Sequence, residues 1–335
     1  MIVIYPAHHR QHRPPNEIFN GNREPHAEVP ERIEHIKESL AGVSGLEYKV
    51  PLRFPLSWIT KVHTREYVDY VAHVSASSGR SYVYPSVFPY GPNQKTSHEV
   101  GLRGQYGFDM YTPVNNTTFE AARGSAMAAL TGASYAARGE RFSYALCRPP
   151  GHHAEPSRMG GYCYFNNAGI AAHYLSRRGK VAILDVDVHH GNGTQAIFYE
   201  RSDVLVVNIH ADPDTRFPYF TGRQKERGAG KGLGFNVNFP MPLKTGDRDY
   251  ETALTRAVAR VRSFTPQYFV ISIGYDTHRD DPIGGFALTT AYYGHMAQVL
   301  AGVGVPTVLV QEGGYNTGTL GTVARTFVEG FVRAR

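Results

Sequence analysis

The chain has 335 residues, 41% of them hydrophobic and 19% charged, which is enough apolar material to bury a large core without disulfides or a partner chain. Its formal net charge of +6 is scattered, and the absence of any long basic run argues against a nucleic-acid-binding protein. The two cysteines, Cys147 and Cys163, form no C-x-x-C pair, so both are expected in the core of a protein from a reducing cytoplasm.

Residues 1–5 read as a first strand, without the basic and apolar regions of a signal peptide. No apolar run is long enough to span a bilayer, so a soluble cytoplasmic protein is expected. Further along, residues 30–40 and 118–138 have helical periodicity, 142–147 read as extended, 167–178 as helical, and 180–188 and 204–209 as extended. The alternation continues with 248–264 helical, 268–273 extended, 290–303 helical and 306–310 extended, which predicts βαβ units, a parallel sheet and one α/β domain over 1–335. Thr117-Thr118-Phe119-Glu120 has capping-box spacing.

Two stretches break this rhythm. Residues 77–116 are rich in Gly, Pro and Tyr, and the aromatics Tyr82, Tyr84, Phe88 and Tyr90 predict packing over a site or against a second subunit. Residues 223–231 lead into a glycine-rich stretch that lacks the spacing of a phosphate loop and reads as flexible surface.

The chemistry concentrates at four strand ends. An apolar run, Val181-Ala182-Ile183-Leu184, is followed by Asp185, Asp187 and His189 alternating with Val186 and Val188. Carboxylates in such surroundings carry a desolvation penalty that a divalent cation removes by ligation. The other three ends carry His152 and His153, Asp276, and Tyr315 after Gly313-Gly314. Taken singly, the histidine pair reads as polar loop, Asp276 as a helix cap and Tyr315 as turn chemistry. Together they supply the ligands, base and oxyanion donor of a metallohydrolase at the sheet edge where α/β proteins bind ligands.

The stretches Cys147-Arg148-Pro149-Pro150-Gly151-His152-His153-Ala154, Gly160-Gly161-Tyr162-Cys163-Tyr164-Phe165-Asn166-Asn167 and residues 183–195 resemble the zinc-dependent deacetylase superfamily. That family contains histone deacetylases and bacterial acetylpolyamine amidohydrolases, and the chain is most similar to the bacterial members. The resemblance implies an arginase-deacetylase fold, a three-layer α/β/α arrangement about a mostly parallel sheet of about eight strands.

Carried onto this sequence, the resemblance implies Zn2+ (iron being the other candidate) held by Asp187, His189 and Asp276. His153 is then the general base and acid, His152 an orienting partner bonded to Asp185, and Tyr315 the oxyanion donor. Asn192 falls where it touches His153, in place of the Asp of some eukaryotic members. Structural K+ or Na+ is implied at Asp185, Asp187, His189, Asn208 and Ile209, with a second such site around Phe198, Arg201, Val204 and Phe235.

Gly161, Tyr162 and Phe217 match an acyl-binding tunnel, Asp109 a rim carboxylate that contacts substrate nitrogen, and Glu17 an acidic residue at the mouth. Read by itself, Glu17 is a solvated loop charge. Arg103 stands where some polyamine-cleaving relatives carry an acid across the dimer, and Ile283 where the polyamine-selective eukaryotic member has a gatekeeper Glu. A charge-gated polyamine preference is therefore not implied. The expected activity is deacetylation of a small acylated amine or an acyl-lysine, in a homodimer or higher homo-oligomer, without nucleic acid or membrane. The competing readings are a catalytically silent binding protein on the same fold and an arginase-like manganese ureohydrolase.

Overall fold

Strands form where β-branched and apolar residues run uninterrupted, and in a sheet covered on both faces both sets of alternating side chains must be apolar. The computed structural model describes residues 1–91 and 94–334; Pro92 and Asn93, inside the segment 77–116, and Arg335 lie outside the described residues. The strands are β1 Ile2–Ile4, β2 Asn16–Phe19, β3 Asn22–Pro25, β4 Glu47–Lys49, β5 Phe142–Ala145, β6 Val181–Asp185, β7 Val204–Ala211, β8 Asn236–Met241, β9 Tyr268–Ile273 and β10 Thr307–Gln311. The helices are α1 Glu31–Leu40, α2 Ser57–Thr60, α3 Arg65–Ser77, α4 Glu99–Gln105, α5 Thr118–Ala136, α6 Asn167–Ser176, α7 Asn192–Phe198, α8 Asp247–Phe264, α9 Thr290–Ala301 and α10 Thr317–Arg333.

Eight strands make one sheet in the order β4-β1-β5-β10-β9-β6-β7-β8, with every pairing parallel. Helices cover both faces, giving the expected three-layer architecture. Ala182 and Leu184 of β6, Leu205 and Val207 of β7 and Leu309 of β10 pack with α1, α8, α9 and α10. The intervening Val181, Ile183, Val204, Val206, Val308 and Val310 pack with α5 and α6 on the opposite face. Alternate residues of these strands thus serve opposite layers.

Several local expectations need correction. The strands expected over 142–147 and 180–188 end at Ala145 and Asp185, because beyond those points the chain leaves its neighbours to build loops. The helix at Thr118 starts where expected but has no capping box. Thr117 Oγ1 donates to Asn115 Oδ1 (2.7 Å) and Gln11 O (3.1 Å), and Glu120 pairs with Arg123 instead of reaching back.

Segment 77–116 is not structureless: it contains α4, and Val83 bridges Val114. The Tyr82 hydroxyl accepts from Arg13 N–H, and the Tyr84 hydroxyl donates to Asn16 O, so these rings pack on their own chain. Tyr90 remains 92% exposed. The glycine-rich stretch after residue 223 is tied down by Ala229 N–H to Tyr199 O (2.8 Å) and by the Glu226 carboxylate, which accepts from the Gly222 and Arg223 amides. Among the described residues no helix is long and apolar enough to cross a membrane.

Candidate active site

Strands β5, β10, β9 and β6 are consecutive in the sheet, and all four chemistry-bearing loops leave their carboxyl ends. Asp187 and His189 follow β6, Asp276 follows β9, and one donor atom from each comes within 4.8 Å of the others. All three residues are buried. Backbone amides hold the carboxylates: Gly313 N–H donates to Asp187 Oδ2 (2.9 Å), His189 N–H to Asp187 Oδ1 (2.8 Å) and Val188 N–H to Asp276 Oδ1 (3.0 Å).

His189 Nδ1 faces both carboxylates, 3.0 Å from Asp187 Oδ1 and 3.3 Å from Asp276 Oδ2. Asp276 Oδ2 is buried with no hydrogen-bond partner. Burial and the charge of Asp187 push the Asp276 carboxyl up to about 7. Burial opposes the charged form of His189, yet the two carboxylates outweigh it and raise the imidazole to about 9. Glycine is required alongside: a Cβ on Gly313 would lie 2.1 Å from Asp276 Oδ2, and one on Gly274 2.1 Å from Asp187 Oδ2. An orphaned buried carboxylate oxygen, converging on an imidazole nitrogen and a second carboxylate, fits a small divalent cation.

His152 and His153 follow β5, their ring centroids 4.0 Å apart. His152 Nδ1 lies 3.0 Å from Asp185 Oδ2, and His153 Nδ1 lies 2.7 Å from Asn192 Oδ1. Burial disfavours charge on both rings, but the carboxylates of Asp187 and Asp185 reverse this for His152 and raise it to about 10. No carboxylate compensates His153 comparably. Burial and the neighbouring His152 and His189 hold it well below the usual imidazole range, in the neutral form a base requires.

Support for these loops comes from charged residues that sequence reading passed over. Glu312 accepts from the Gly151 amide (2.6 Å) and the His152 amide (3.1 Å), locking the β10 end to the histidine loop. Arg32 on α1 is fully buried; Nη2 donates to Glu312 O (2.6 Å) and Nη1 to Glu28 Oε1 (2.6 Å), while Nε donates to Gly314 O. Its guanidinium carbon sits 4.7 Å from the Tyr315 ring centroid, a cation–π contact that sets the ring's position. Arg148 shares Glu28, with Nε 2.8 Å from the same oxygen. Glu28 and Arg32 stand four apart at the start of a helix, a spacing usually solvated, so only the tertiary structure reveals their burial.

His153, His189 and Tyr315 line a cavity of about 250 Å³ together with Gly161, Tyr162, Phe217 and Glu17. Phe217 stands edge-on to His153 at 4.9 Å and stacks near Phe108 at 6.1 Å. Gly161 has φ +54, and a Cβ there would lie 2.3 Å from His153 Cδ2. Burial raises the Tyr315 phenol well above its ordinary value, which keeps it a proton-bearing donor.

The rim departs from two expectations. Glu17 is not a solvated loop charge: it lies on β2, is 8% exposed and accepts from Ala27 N–H at 3.3 Å. The Asn20-Gly21 pair, with φ of 49 and 79, makes the tight turn between β2 and β3, and that dipeptide signals a hairpin in the sequence. Asp109 does not line the cavity, because its carboxylate is turned into the backbone, accepting from Gly161, Tyr111 (2.9 Å) and Thr112 Oγ1 (3.1 Å). Burial pushes it up to about 6. Arg103 lies on α4 and Ile283 on the cavity wall.

Strand register sets Asp185 beside Asn208 of β7, whose Oδ1 is buried without a hydrogen-bond partner. Ile209 follows on the same strand. Phe198 ends α7, Val204 opens β7, Arg201 lies between them and bonds Asp203, and Phe235 precedes β8. A second donor group, His152, Cys163 and Glu312, also clusters; each member makes a hydrogen bond, although Glu312 Oε1 is buried without a partner. His152 bonds Asp185, Cys163 Sγ bonds Gly161 O (3.3 Å), and Glu312 Oε2 accepts two amides. Burial keeps the thiol neutral.

Comparison with known proteins agrees with this geometry. A family model described as histone deacetylase domain matches residues 26–331. Acetylpolyamine amidohydrolase 2 of Pseudomonas aeruginosa is 38% identical over 99% of this chain and 98% of its own length. The acetylpolyamine amidohydrolase of Mycoplana ramosa is 36% identical over 98% of this chain and 99% of its own. A crystal structure of acetylpolyamine aminohydrolase from Burkholderia pseudomallei superposes with a TM-score of 0.95 at 36% identity, covering 100% of this chain and 99% of that one. With the fold, the four convergent strand ends and these full-length similarities in agreement, the chain belongs to the family of histone deacetylases and acetylpolyamine amidohydrolases.

Proposed function

We propose that the protein is a zinc-dependent amidohydrolase that removes acetyl or a similar short acyl group from an amine, with Asp187, His189 and Asp276 holding the metal. The observation that carries this reading is the unpartnered Asp276 Oδ2 beside His189 Nδ1 and Asp187, a buried arrangement that a divalent cation completes. When bound, such an ion supplies the Lewis acidity that polarises the amide carbonyl and acidifies water.

The chain's own residues do the rest. His153 gives its Nδ1–H to Asn192, leaving Nε2 to take a proton from the attacking water and pass it to the departing amine. His152, paired with Asp185 and packed against His153, acts as its electrostatic and orienting partner. The Tyr315 hydroxyl, held in place by Arg32, donates to the developing oxyanion. Gly161, Tyr162 and Phe217 form a slot for an apolar acyl-amine stem. The orphaned Asn208 Oδ1 beside Asp185 supports a monovalent cation there; the second such site rests on family resemblance.

A dimanganese ureohydrolase would need a second set of ionised donors, and in the His152, Cys163 and Glu312 group His152 is committed to Asp185 and burial keeps the Cys163 thiol neutral. The test is hydrolysis of a fluorogenic acetyl-lysine substrate and of acetylputrescine before chelation, after it, and after zinc is restored. Loss and recovery are expected. Full activity in metal-free protein would overturn the reading.

A further inference from the structure

Among the residues lining the cavity Arg216 is the one guanidinium, and nothing in the described protein answers its charge. It is half-buried, its Nε is shielded from solvent without a hydrogen-bond partner, and it makes no ion pair with a described carboxylate. By contrast, the more exposed Arg10 is paired with Glu34, and Arg223 with Asp214. It packs closely against Gly285: a Cβ there would lie 2.8 Å from Arg216 Nη2 and 3.3 Å from Nε, so a side chain at 285 would push the guanidinium from this seat. A partly desolvated guanidinium with an idle donor is costly unless a ligand completes it, and its planar fork suits a carboxylate.

The same cavity holds one carboxylate, Glu17, beside the Tyr162 hydroxyl. Glu17 and Arg216 line one space without pairing to each other. A polyamine tail offers only cations, which Arg216 would repel. An acyl-lysine inside a peptide offers neither charge at its α-carbon. A free amino acid head offers an ammonium and a carboxylate on one carbon, one for each group.

We propose that Arg216 is a specificity-determining residue that receives a substrate carboxylate remote from the scissile amide, so that the preferred class is a free Nω-acylated diamino acid. This rests on the amidohydrolase reading above and narrows its substrate.

The decisive comparison is kcat/KM for Nε-acetyl-L-lysine against N-acetylcadaverine, which differ only by the carboxylate, with a peptide carrying an internal acetyl-lysine as third arm. The zinc-loaded wild type is expected to favour Nε-acetyl-L-lysine by about tenfold or more over either alternative. Arg216→Gln should bring the ratio to acetylcadaverine close to one, chiefly through KM, and Arg216→Glu should invert it. Calorimetric binding of the products, L-lysine against cadaverine, should show the same order without turnover. A wild type that cleaves acetylcadaverine or the peptide as well as Nε-acetyl-L-lysine, or a ratio indifferent to both substitutions, would overturn the role of Arg216 and leave the amidohydrolase reading standing. Failure of the zinc-loaded protein to cleave any of the three would overturn both.

Discussion

His153 Nδ1 and Asn192 Oδ1 lie 2.7 Å apart, and the amide can only be the acceptor in that bond. Its orientation is fixed from the other side, because Asn192 Nδ2 donates to Glu155 Oε1 at 3.1 Å. The proton therefore sits on His153 Nδ1, and Nε2 is left as the basic nitrogen. A carboxylate in place of the amide would favour the imidazolium. Asn192→Asp is thus expected to move the acidic limb of the kcat/KM pH profile upward, lowering activity below neutrality more than above it. An unmoved limb would remove Asn192 from the tuning of this base.

Tyr315 gives a second test. Tyr315→Phe keeps the ring that Arg32 packs against and deletes only the hydroxyl. Removal of one oxyanion donor usually costs on the order of a hundredfold in kcat. Metal content, measured by plasma emission, should stay at the wild-type level while turnover falls; turnover within a few-fold of wild type would show that the oxyanion is stabilised elsewhere.

Gly313 tests the carboxylate geometry. Alanine there would bring Cβ within 2.1 Å of Asp276 Oδ2 and 2.6 Å of Asp187 Oδ2, so both side chains must move. Displacements of this kind cost about a hundredfold in rate. Gly313→Ala should lose bound metal and activity together, whereas Gly246→Ala, which meets nothing within 4 Å at an ordinary φ of −96, serves as a silent control. Full metal occupancy in Gly313→Ala would contradict the placement of these ligands.

His63 links the fold to pH. Its Nδ1–H donates to Glu155 O (2.9 Å) and its Nε2 accepts from Asn166 N–H (2.8 Å), so both nitrogens are committed in the neutral ring. Burial lowers it from 6.5 to about 4. The unfolded chain therefore takes up this proton first as pH falls. Its contribution is complete above 6.5 and is lost progressively down to about 4. His63→Gln can preserve both bonds without titrating. Between these limits, urea midpoints should show wild-type stability falling by about 1.4 kcal/mol per pH unit more than that of the variant. Parallel pH dependences would exclude His63 as a source of acid sensitivity.

How far the sequence reveals all this depends on what each residue's role requires. β5, β6, β7, β9 and β10 announce themselves by apolar runs, and the metal-binding chemistry by carboxylates and imidazoles placed directly after them. β8 does not, because two of its buried positions are Asn236 and Asn238, which bond Gln195 rather than packing on aliphatic neighbours. α10 is omitted from the alternation although Leu320, Val323, Ala324, Phe327 and Phe331 repeat with helical period. The supporting charges Glu28, Arg32 and Glu312 are illegible for a deeper reason. Their burial arises from contacts about 280 residues apart, Arg32 with Glu312 and Gly314, which no local pattern encodes. Arg216 is hidden likewise, since its lack of a partner is a property of the finished cavity.

The assembly of the three proposed ligands from two strand ends also bears on how the protein would acquire a metal. Asp187 and Asp276 meet only after β6 and β9 have paired across 82 residues of intervening sequence in the central sheet, and Gly313 must arrive with β10 to orient them. A cation therefore cannot act as a nucleus for this chain in the way it does for small metal-clasped modules. It would load onto an already folded scaffold, so the apoprotein should be a stable, isolable species. Metal availability would then add to its resistance to unfolding by mass action, about 2.7 kcal/mol at a free concentration a hundred times the dissociation constant.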